Sequence, residues 1–243
     1  RLKRRGLVVA ISGGIDSSVV TSLCARALGA SRVQVLLMPE RDSSSDALRL
    51  GQMLASQLGT PVAVEDIAPT LDAAGCYARQ LEAIQTVFPE YGEGYKNKIT
   101  LPSILDGDRL NVSELTIESP AGERKKARMP LAAYLQFIAA TNFKQRVRKM
   151  MEYYHADRLN YAVAGTPNRL EYDQGFFVKQ GDGAADLKPI AHLYKTQVFA
   201  LAEYLGVPDE IRKRPPTTDT FSLPQTQEEF YFALPYHLMD LCL

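Results

Sequence analysis

The stretch Leu7-Val-Val-Ala-Ile-Ser-Gly-Gly-Ile-Asp-Ser-Ser18 decides the fold of this chain. An apolar, β-branched run ends at Ser12, two glycines follow, and Asp16 opens an apolar-periodic segment. This order predicts a buried strand, a glycine turn and the N-terminus of a helix. Glycines allow a tight turn close to a ligand, and a helix start presents unpaired N–H groups and a positive dipole end. We therefore expect a phosphate-binding turn, in which the hydroxyls of Ser12, Ser17 and Ser18 are further donors.

Two commoner phosphate loops do not match this turn. The P-loop pattern G-x-x-x-x-G-K-[ST] and the dinucleotide pattern G-x-G-x-x-G are both absent from it. S-G-G-x-D-S instead resembles the pyrophosphate loop of ATP pyrophosphatases, which cleave ATP between the α- and β-phosphates. That resemblance implies that the loop holds the departing pyrophosphate and that Asp16 helps to hold Mg²⁺. The alternative is an ordinary strand-to-helix turn with Asp16 as a cap.

Composition narrows the class of protein. The chain has 243 residues, 46% of them hydrophobic and 23% charged, as expected of one large globular α/β domain. Lys+Arg and Asp+Glu balance at 28 each, so no bulk charge favours nucleic acid or a membrane surface. No apolar run reaches membrane-spanning length, and no signal peptide is visible. Three scattered cysteines without metal-ligand spacing favour a reducing cytoplasm. They are Cys24, Cys76 and Cys242, of which Cys24 lies on an apolar helical face typical of a core.

Helical and strand patterns alternate along most of the chain. This alternation predicts right-handed βαβ units and a doubly wound, mostly parallel sheet, with ligands at the carboxyl ends of the strands. We expect strands near 7–11, 33–38, 61–66 and 159–165, and helices near 15–28, 46–58, 71–88, 131–154 and 195–205.

The middle of the chain departs from this alternation. From Pro89 the periodicity breaks, and the stretches 109–117 and 123–128 flank a turn at 119–122. This pattern predicts a β-hairpin insertion within about 89–129. Its basic second limb could contact phosphate or form a solvated edge strand.

A polar loop follows the last expected strand. It contains Gly165-Thr-Pro-Asn-Arg-Leu-Glu171, Gly175-Phe-Phe-Val-Lys-Gln-Gly-Asp182 and Ala185-Asp-Leu-Lys-Pro-Ile-Ala-His-Leu-Tyr-Lys195. A loop of roughly thirty residues without clear secondary structure is usually functional or disordered. The two phenylalanines and the Gly-Asp pairs argue against disorder, so we place this loop on the binding face.

Six motifs now identify a family resemblance. S-G-G-x-D-S, N-x-K-x-R-x-R, G-T-x-N-x-x-E, G-F-F-x-K-x-G-D-G-x-A-D, L-x-K-x-Q-V and P-T-x-D follow one another as they do in NAD synthetases. The match covers roughly Leu7–Gly59 and Thr141–Asp219. It implies a single ATP-pyrophosphatase-type domain over residues 1–243. It also implies an ammonia-dependent ligase that converts ATP, deamido-NAD and ammonia to NAD, AMP and pyrophosphate.

The resemblance also implies roles for individual residues. Asp16 and Glu171 would hold Mg²⁺, and Asp16, Lys195 and Thr217 would be catalytic. The residues assigned to ATP are Ser12, Gly13, Gly14, Asp16, Ser17, Ser18, Thr166, Lys195 and Thr217. Those assigned to deamido-NAD are Arg146, Arg148, Phe176, Phe177, Lys179 and Asp182. Without the resemblance, Glu171 is equally well interpreted as a surface carboxylate. Lys195 is then better interpreted as a surface lysine at a helix start, and Phe176 and Phe177 as loop packing.

Several alternatives stay open at this point. A relative could adenylate another carboxylate or thiolate a nucleotide, and a noncatalytic nucleotide sensor could keep the fold. Since the chain shows no glutaminase domain, free ammonia is the expected nitrogen source, with a separate glutaminase as a conceivable partner. The family also predicts a homodimer, formed through the long helix that contains Asn142–Arg148.

Overall fold

A parallel sheet of four strands organises the first of two units into which the chain folds. The computed structural model describes residues 3–101, 113–217, 220–232 and 236–242. The first unit comprises residues 1–67 and 145–215, and the second comprises 68–144 and 216–243. The strands are Leu7–Ala10 (β1), Val33–Leu37 (β2), Val62–Val64 (β3), Lys96–Thr100 (β4), Glu114–Glu118 (β5), Arg124–Arg128 (β6) and Ala162–Ala164 (β7).

The α-helices lie between and after these strands along the sequence. They are Ile15–Leu28 (α1), Ser45–Leu58 (α2), Ala68–Ala73 (α3), Cys76–Gln85 (α4), Leu131–Leu159 (α5), Arg169–Asp173 (α6), Lys195–Tyr204 (α7), Asp209–Arg212 (α8) and Tyr236–Cys242 (α9). A short 3₁₀ helix covers Ala30–Arg32, and a π-helical turn covers Glu228–Phe232. Among the described residues, no helix is both long and apolar enough to span a membrane.

The predicted parallel sheet of the first unit is confirmed. Its strand order is β3-β2-β1-β7, and β1 pairs in parallel with both β2 and β7. Val8, Val9, Val33 and Val35 are completely buried, as expected for β-branched residues in a sheet covered on both faces. Cys24 packs into the same core, as predicted, and burial raises the pKa of its thiol to about 12.

Two predicted boundaries are wrong. The helix expected over 71–88 is interrupted at Gly75, whose φ of 71° is left-handed, so α3 and α4 are separate helices. Helix α5 extends to Leu159 and ends before Asn160, whose positive φ of 55° suits a helix C-terminus. The last strand therefore begins at Ala162.

The second unit contains a three-stranded antiparallel sheet in the order β4-β5-β6. Strands β5 and β6 form the predicted hairpin, although residues 109–112 of its first limb lie outside the described residues. Strand β4 is an addition that the polar sequence Lys96-Asn-Lys-Ile-Thr100 did not indicate. The basic strand β6 is a largely exposed edge, where Arg124 pairs with Glu118 and Lys125 with Glu90.

Candidate active site

The parallel pairing of β1 with β7 brings two loops to one edge of the sheet. Val9 lies opposite Ala164, so the turn after β1 and the loop after β7 leave the sheet side by side. Carboxyl ends of adjacent parallel strands are the usual ligand position in such sheets. The predicted strand–turn–helix element and the predicted polar loop are therefore neighbours in the first unit.

The turn at 12–14 is shaped by glycine and by serine hydroxyls. Gly13 has a φ of +74°, and a Cβ there would lie 2.9 Å from the Cα of Ala47. The Ser17 hydroxyl accepts from the Ser12 N–H at 3.2 Å and donates to the Gly14 carbonyl oxygen at 3.1 Å. The Ser18 hydroxyl donates to the same oxygen at 2.8 Å. These contacts hold the turn in one shape at the start of α1.

Asp16 is held from two sides. Its Oδ2 forms an ion pair with Lys195 Nζ, and its Oδ1 accepts from Asn168 Nδ2 at 3.0 Å. Lys195 is the first residue of α7 and is completely buried, whereas the Asp16 side chain is 15% exposed. A buried cation needs such a partner, because burial removes its hydration. The structure thus brings together two residues predicted for one site, and the surface interpretation of Lys195 is wrong.

Glu171 belongs to a capping box at the start of α6. Its Oε2 accepts from the Asn168 N–H at 3.0 Å, and its own N–H donates to Asn168 Oδ1 at 3.1 Å. Glu171 is only 8% exposed, so its interpretation as a surface carboxylate is also wrong. Burial and then the charge of Asp16 raise the pKa of Glu171 to about 8, against the opposing effect of Lys195.

Sequence reasoning missed α6 and Asn168. The pattern Asn168-x-x-Glu171 is a capping-box signal that could have revealed both. The helix has only five residues, too few to show an apolar period, so the sequence pattern predicts a loop there. Asn168 is completely buried and contacts both carboxylates predicted for the metal.

Asp16 and Glu171 are the two carboxylates that the family resemblance assigns to Mg²⁺. Among the described residues, no group of three or more His, Cys, Asp or Glu side chains could enclose a metal ion. Asp16 disfavours the ionised form of Glu171, which shows that their charges interact and that a cation near both would relieve the repulsion. Magnesium is typically bound by one or two carboxylates together with substrate phosphates, so these residues fit it.

The loop from Phe176 to Asp182 packs against its own unit. The Phe177 ring stacks on Tyr172, with centroids 5.5 Å apart, and Lys188 Nζ lies 4.4 Å from the Tyr172 ring centroid. Gly183 lies under Phe177, where an added Cβ would be 2.4 Å from Phe177 Cδ2. Phe176 and Phe177 are both half-buried, so each ring keeps an accessible part.

Charged residues of α5 support the other end of that loop. Arg146 Nε donates to the Lys179 carbonyl oxygen at 3.2 Å, and Asp182 Oδ1 accepts from the Val178 N–H at 2.7 Å. Burial raises the pKa of Asp182, and the charge of Lys149 opposes that shift. Arg146, Lys179 and Asp182, all assigned to one ligand, therefore lie in one neighbourhood.

Three further residues predicted for the site are Thr166, Arg148 and Thr217. Thr166 is half-buried directly after β7, and Arg148 is half-buried on α5. Thr217 belongs to the second unit, where it forms an antiparallel bridge with Thr226. Its contact with ATP stays a prediction, and Asp219 of the same motif lies outside the described residues.

Known proteins resemble this chain along its whole length. The sequence profile of the NAD synthase family matches residues 2–87 and 109–243. The NH(3)-dependent NAD(+) synthetase of Mesorhizobium japonicum is 66% identical over 242 residues, which cover 100% of this chain and 76% of that protein. The solved structure of NMN synthetase from Francisella tularensis superposes with a TM-score of 0.67 and 25% identity, covering 98% of this chain and 76% of that one. The structure of an NH3-dependent NAD synthetase from Campylobacter jejuni, solved in complex with the nitrate ion, superposes with a TM-score of 0.59 and 26% identity. The match covers 87% of this chain and 68% of that one.

Proposed function

This chain belongs to the NAD synthase family, and we infer from that membership that it is an ammonia-dependent NAD synthetase. It amidates deamido-NAD with ammonia at the expense of ATP. The structural observation that supports this function is the cluster of Asp16, Lys195, Asn168 and Glu171 beside the glycine turn, in which all but Asp16 are buried. Because the family match covers both units, we propose that they form one synthetase domain.

The reaction needs activation of a carboxylate. Ammonia does not displace the oxygen of a carboxylate, because that oxygen is a poor leaving group. Attack of the nicotinate carboxylate on the ATP α-phosphate forms an acyl adenylate and releases pyrophosphate. Ammonia then attacks the acyl carbon, and AMP leaves with the former carboxylate oxygen. Two anions must meet in the first step, so positioning and electrostatic stabilisation are the main tasks of the protein.

We assign the binding of the ATP phosphates to the start of α1. Helix α1 begins directly after the turn, so the positive end of its dipole lies beside the carboxyl end of β1, which suits a pyrophosphate group. Ser12, the two glycines, Ser17 and Ser18 are assigned to the leaving pyrophosphate, and the hydroxyls of Ser17 and Ser18 also hold the Gly14 carbonyl oxygen. Lys195, Thr166 and Thr217 are assigned to the phosphates as well.

Magnesium is assigned to Asp16 and Glu171. When bound, it supplies positive charge at the ATP phosphates where the second anion approaches. The ion pair with Lys195 orients Asp16, and the capping box orients Glu171.

Deamido-NAD is assigned to the loop 176–182 and to the basic face of α5. The stacked Phe177 offers an aromatic surface for a ring, and Lys179 and Arg146 are exposed cations that suit the dinucleotide phosphates. Arg148, Phe176 and Asp182 complete this assignment.

We also propose that the protein is a homodimer that uses free ammonia. Helix α5 exposes four large apolar side chains, and an exposed group of this kind is typical of a surface that contacts another protein. They are Leu131, Leu135, Met150 and Tyr154, which are 54–73% exposed. The names of the relatives, which specify NH(3), support ammonia as the direct nitrogen donor.

One incubation tests both the activity and its route. The protein is mixed with ATP, Mg²⁺, ammonium and deamido-NAD whose nicotinate carboxylate carries ¹⁸O. We expect NAD, pyrophosphate and AMP in equal amounts, with one ¹⁸O atom in the AMP. Formation of ADP and phosphate, or unlabelled AMP, would contradict the acyl adenylate.

A mononucleotide acceptor is the competing outcome. The structural likeness to an NMN synthetase favours a parallel incubation with nicotinate mononucleotide. We expect the dinucleotide to react with the higher kcat/KM, and the opposite order would reassign the acceptor.

A further inference from the structure

We propose that Asn168 is a positioning residue that holds Asp16 and Glu171 as a pair, an inference that rests on the proposed function. Neither the charge of the site nor its phosphate turn requires an amide at this position. Asn168 nevertheless contacts both carboxylates and is itself completely buried.

Three hydrogen bonds connect the pair through this residue. Asn168 Nδ2 donates to Asp16 Oδ1 at 3.0 Å. Asn168 Oδ1 accepts from the Glu171 N–H at 3.1 Å, and the Asn168 N–H donates to Glu171 Oε2 at 3.0 Å. The first bond links α6 to the first turn of α1, and the other two lie within α6.

The orientation of the amide is determined by its partners. Because a backbone N–H can only donate, the atom facing Glu171 must be the amide oxygen. The amide nitrogen then faces Asp16, where it can donate to a carboxylate oxygen. Only an amide satisfies both sides, because a carboxylate lacks the donor and a serine hydroxyl is shorter by one atom.

A capping role alone would not need asparagine. Asparagine, aspartate and serine are about equally good N-cap residues. Substitutions that keep the cap and break the link to Asp16 therefore separate the two roles. In Asn168→Ser the link is lost without a change in charge. In Asn168→Asp the donor is replaced by an oxygen that repels Asp16.

We expect the hydrogen bond from Asn168 to Asp16 to matter for the reaction, because each carboxylate oxygen of Asp16 has its own partner. Lys195 Nζ pairs with Oδ2 of Asp16, and Asn168 Nδ2 donates to Oδ1. Without Asn168, Oδ1 would lose its link to the residue that also contacts Glu171. Residues that orient metal ligands typically affect metal affinity or activity by about 10–100-fold. We expect a loss of this size in kcat for Asn168→Ser and a larger loss for Asn168→Asp, with KM for deamido-NAD changed by less than about threefold.

The test combines kinetics, thermal unfolding and calorimetry on the whole chain. ATP binding is measured without acceptor, once with Mg²⁺ and once with EDTA, so that no turnover is involved. In wild-type protein Mg²⁺ should strengthen ATP binding, and in both variants this gain should fall at least about fivefold. The Tm of Asn168→Ser should stay close to that of the wild type because the cap is kept, whereas the buried charge of Asn168→Asp should lower Tm. Asn168→Ala, which removes the cap as well, should lower Tm. Asn160→Asp adds the same charge at an exposed position and should leave kcat within about twofold.

Each outcome decides the proposal. Normal kcat and a normal Mg²⁺ gain in Asn168→Ser would reduce Asn168 to a helix cap. Unfolding of both cap-keeping variants would show a structural role and overturn the positioning role. If the wild type forms no NAD, the proposed function fails, while the calorimetry still decides whether Asn168 supports Mg²⁺-dependent ATP binding.

Discussion

The carboxylate of Asp16 and the completely buried ammonium of Lys195 form an ion pair between the first turns of α1 and α7. The two residues are 179 positions apart in sequence. Such a pair is retained in a folded protein only if each charge compensates for the lost hydration of the other. The pair therefore connects the glycine turn before α1 to the start of a helix that lies much later in the sequence.

Breaking this ion pair should lower both activity and stability, and the loss of stability should depend on which of the two residues is replaced. Asp16→Asn leaves the fully buried Lys195 without its paired charge, which typically costs about 3–5 kcal/mol. Lys195→Met leaves Asp16, which keeps some contact with water, and should be less destabilising. Both should lower kcat by about 10²-fold or more. Urea unfolding and steady-state kinetics measure the two effects, and Lys213→Met removes an exposed lysine as the control. Equal stability losses would contradict the burial argument.

Glu171→Gln should stabilise the protein while it slows the reaction. The folded-state pKa of about 8 lies above the ordinary value of 4.5, so ionisation of Glu171 opposes folding as pH rises between these values. Glutamine removes that penalty. At pH 8 we expect Tm to rise by at least about 2–4 °C, which is the change that roughly 1 kcal/mol gives in a protein of this size. Near pH 4 the difference should vanish, because Glu171 is then protonated in the folded state and largely so in the unfolded state.

The effect of Glu171→Gln on the reaction is measured separately, through kcat. Loss of the charge should lower kcat by about 10²–10³-fold. Because Asp16 and Glu171 are assigned to one ion, the double variant should cost much less than the product of the single effects. Glu203→Gln changes a side chain that is 75% exposed and is the matched control. Normal turnover at limiting Mg²⁺ would refute the assignment of Glu171.

Gly13→Ala should damage the turn through steric contact as well as backbone strain. The φ of +74° disfavours any side chain, and the new Cβ would lie 2.9 Å from the backbone of Ala47. Gly29→Ala isolates the strain, since its φ is +87° and no described atom lies within 4 Å of the added Cβ. We expect both variants to lose stability, and only Gly13→Ala to bind ATP at least about tenfold more weakly. Calorimetric titration with ATP distinguishes them, and equal affinities would place the turn away from the phosphates.

Cys24 should be unreactive in the folded protein. Burial raises its pKa to about 12, and the thiolate is the reactive form, so very little of it exists at pH 8. Iodoacetamide at pH 8 should leave Cys24 unmodified in the native protein and alkylate it in urea, as peptide mass mapping would show. Rapid native alkylation would mean that this part of the core opens to solvent.

The dimer proposed through α5 is tested at its exposed apolar residues. Met150→Glu places a charge at a side chain that is 54% exposed on that helix. We expect sedimentation to show a dimer for the wild type and a shift toward monomer for this variant. Tyr204→Gln on α7 changes a 70% exposed residue and should leave the dimer intact. A monomeric wild type with full activity would exclude a required dimer.

The amino-acid sequence alone predicted the elements whose signal is local. The apolar run to Ile11, the glycine pair and the first turn of α1 predicted the phosphate turn, because strand, turn and helix start each need distinct residue types. The motif order then identified the family and selected Asp16, Glu171 and Lys195. Helix α6 is too short to show a repeating apolar pattern and strand β4 is mostly polar, so the sequence pattern indicates neither.

Tertiary structure decided what those residues do to one another. Sequence spacing could not show that Lys195 is buried, that it pairs with Asp16, or that Asn168 joins Asp16 to Glu171. Those relationships arise because β1 and β7, more than 150 residues apart in sequence, pair in parallel and bring their following loops to the same edge. Burial at that edge removes water from the charged groups, so each one depends on partners supplied by distant parts of the chain.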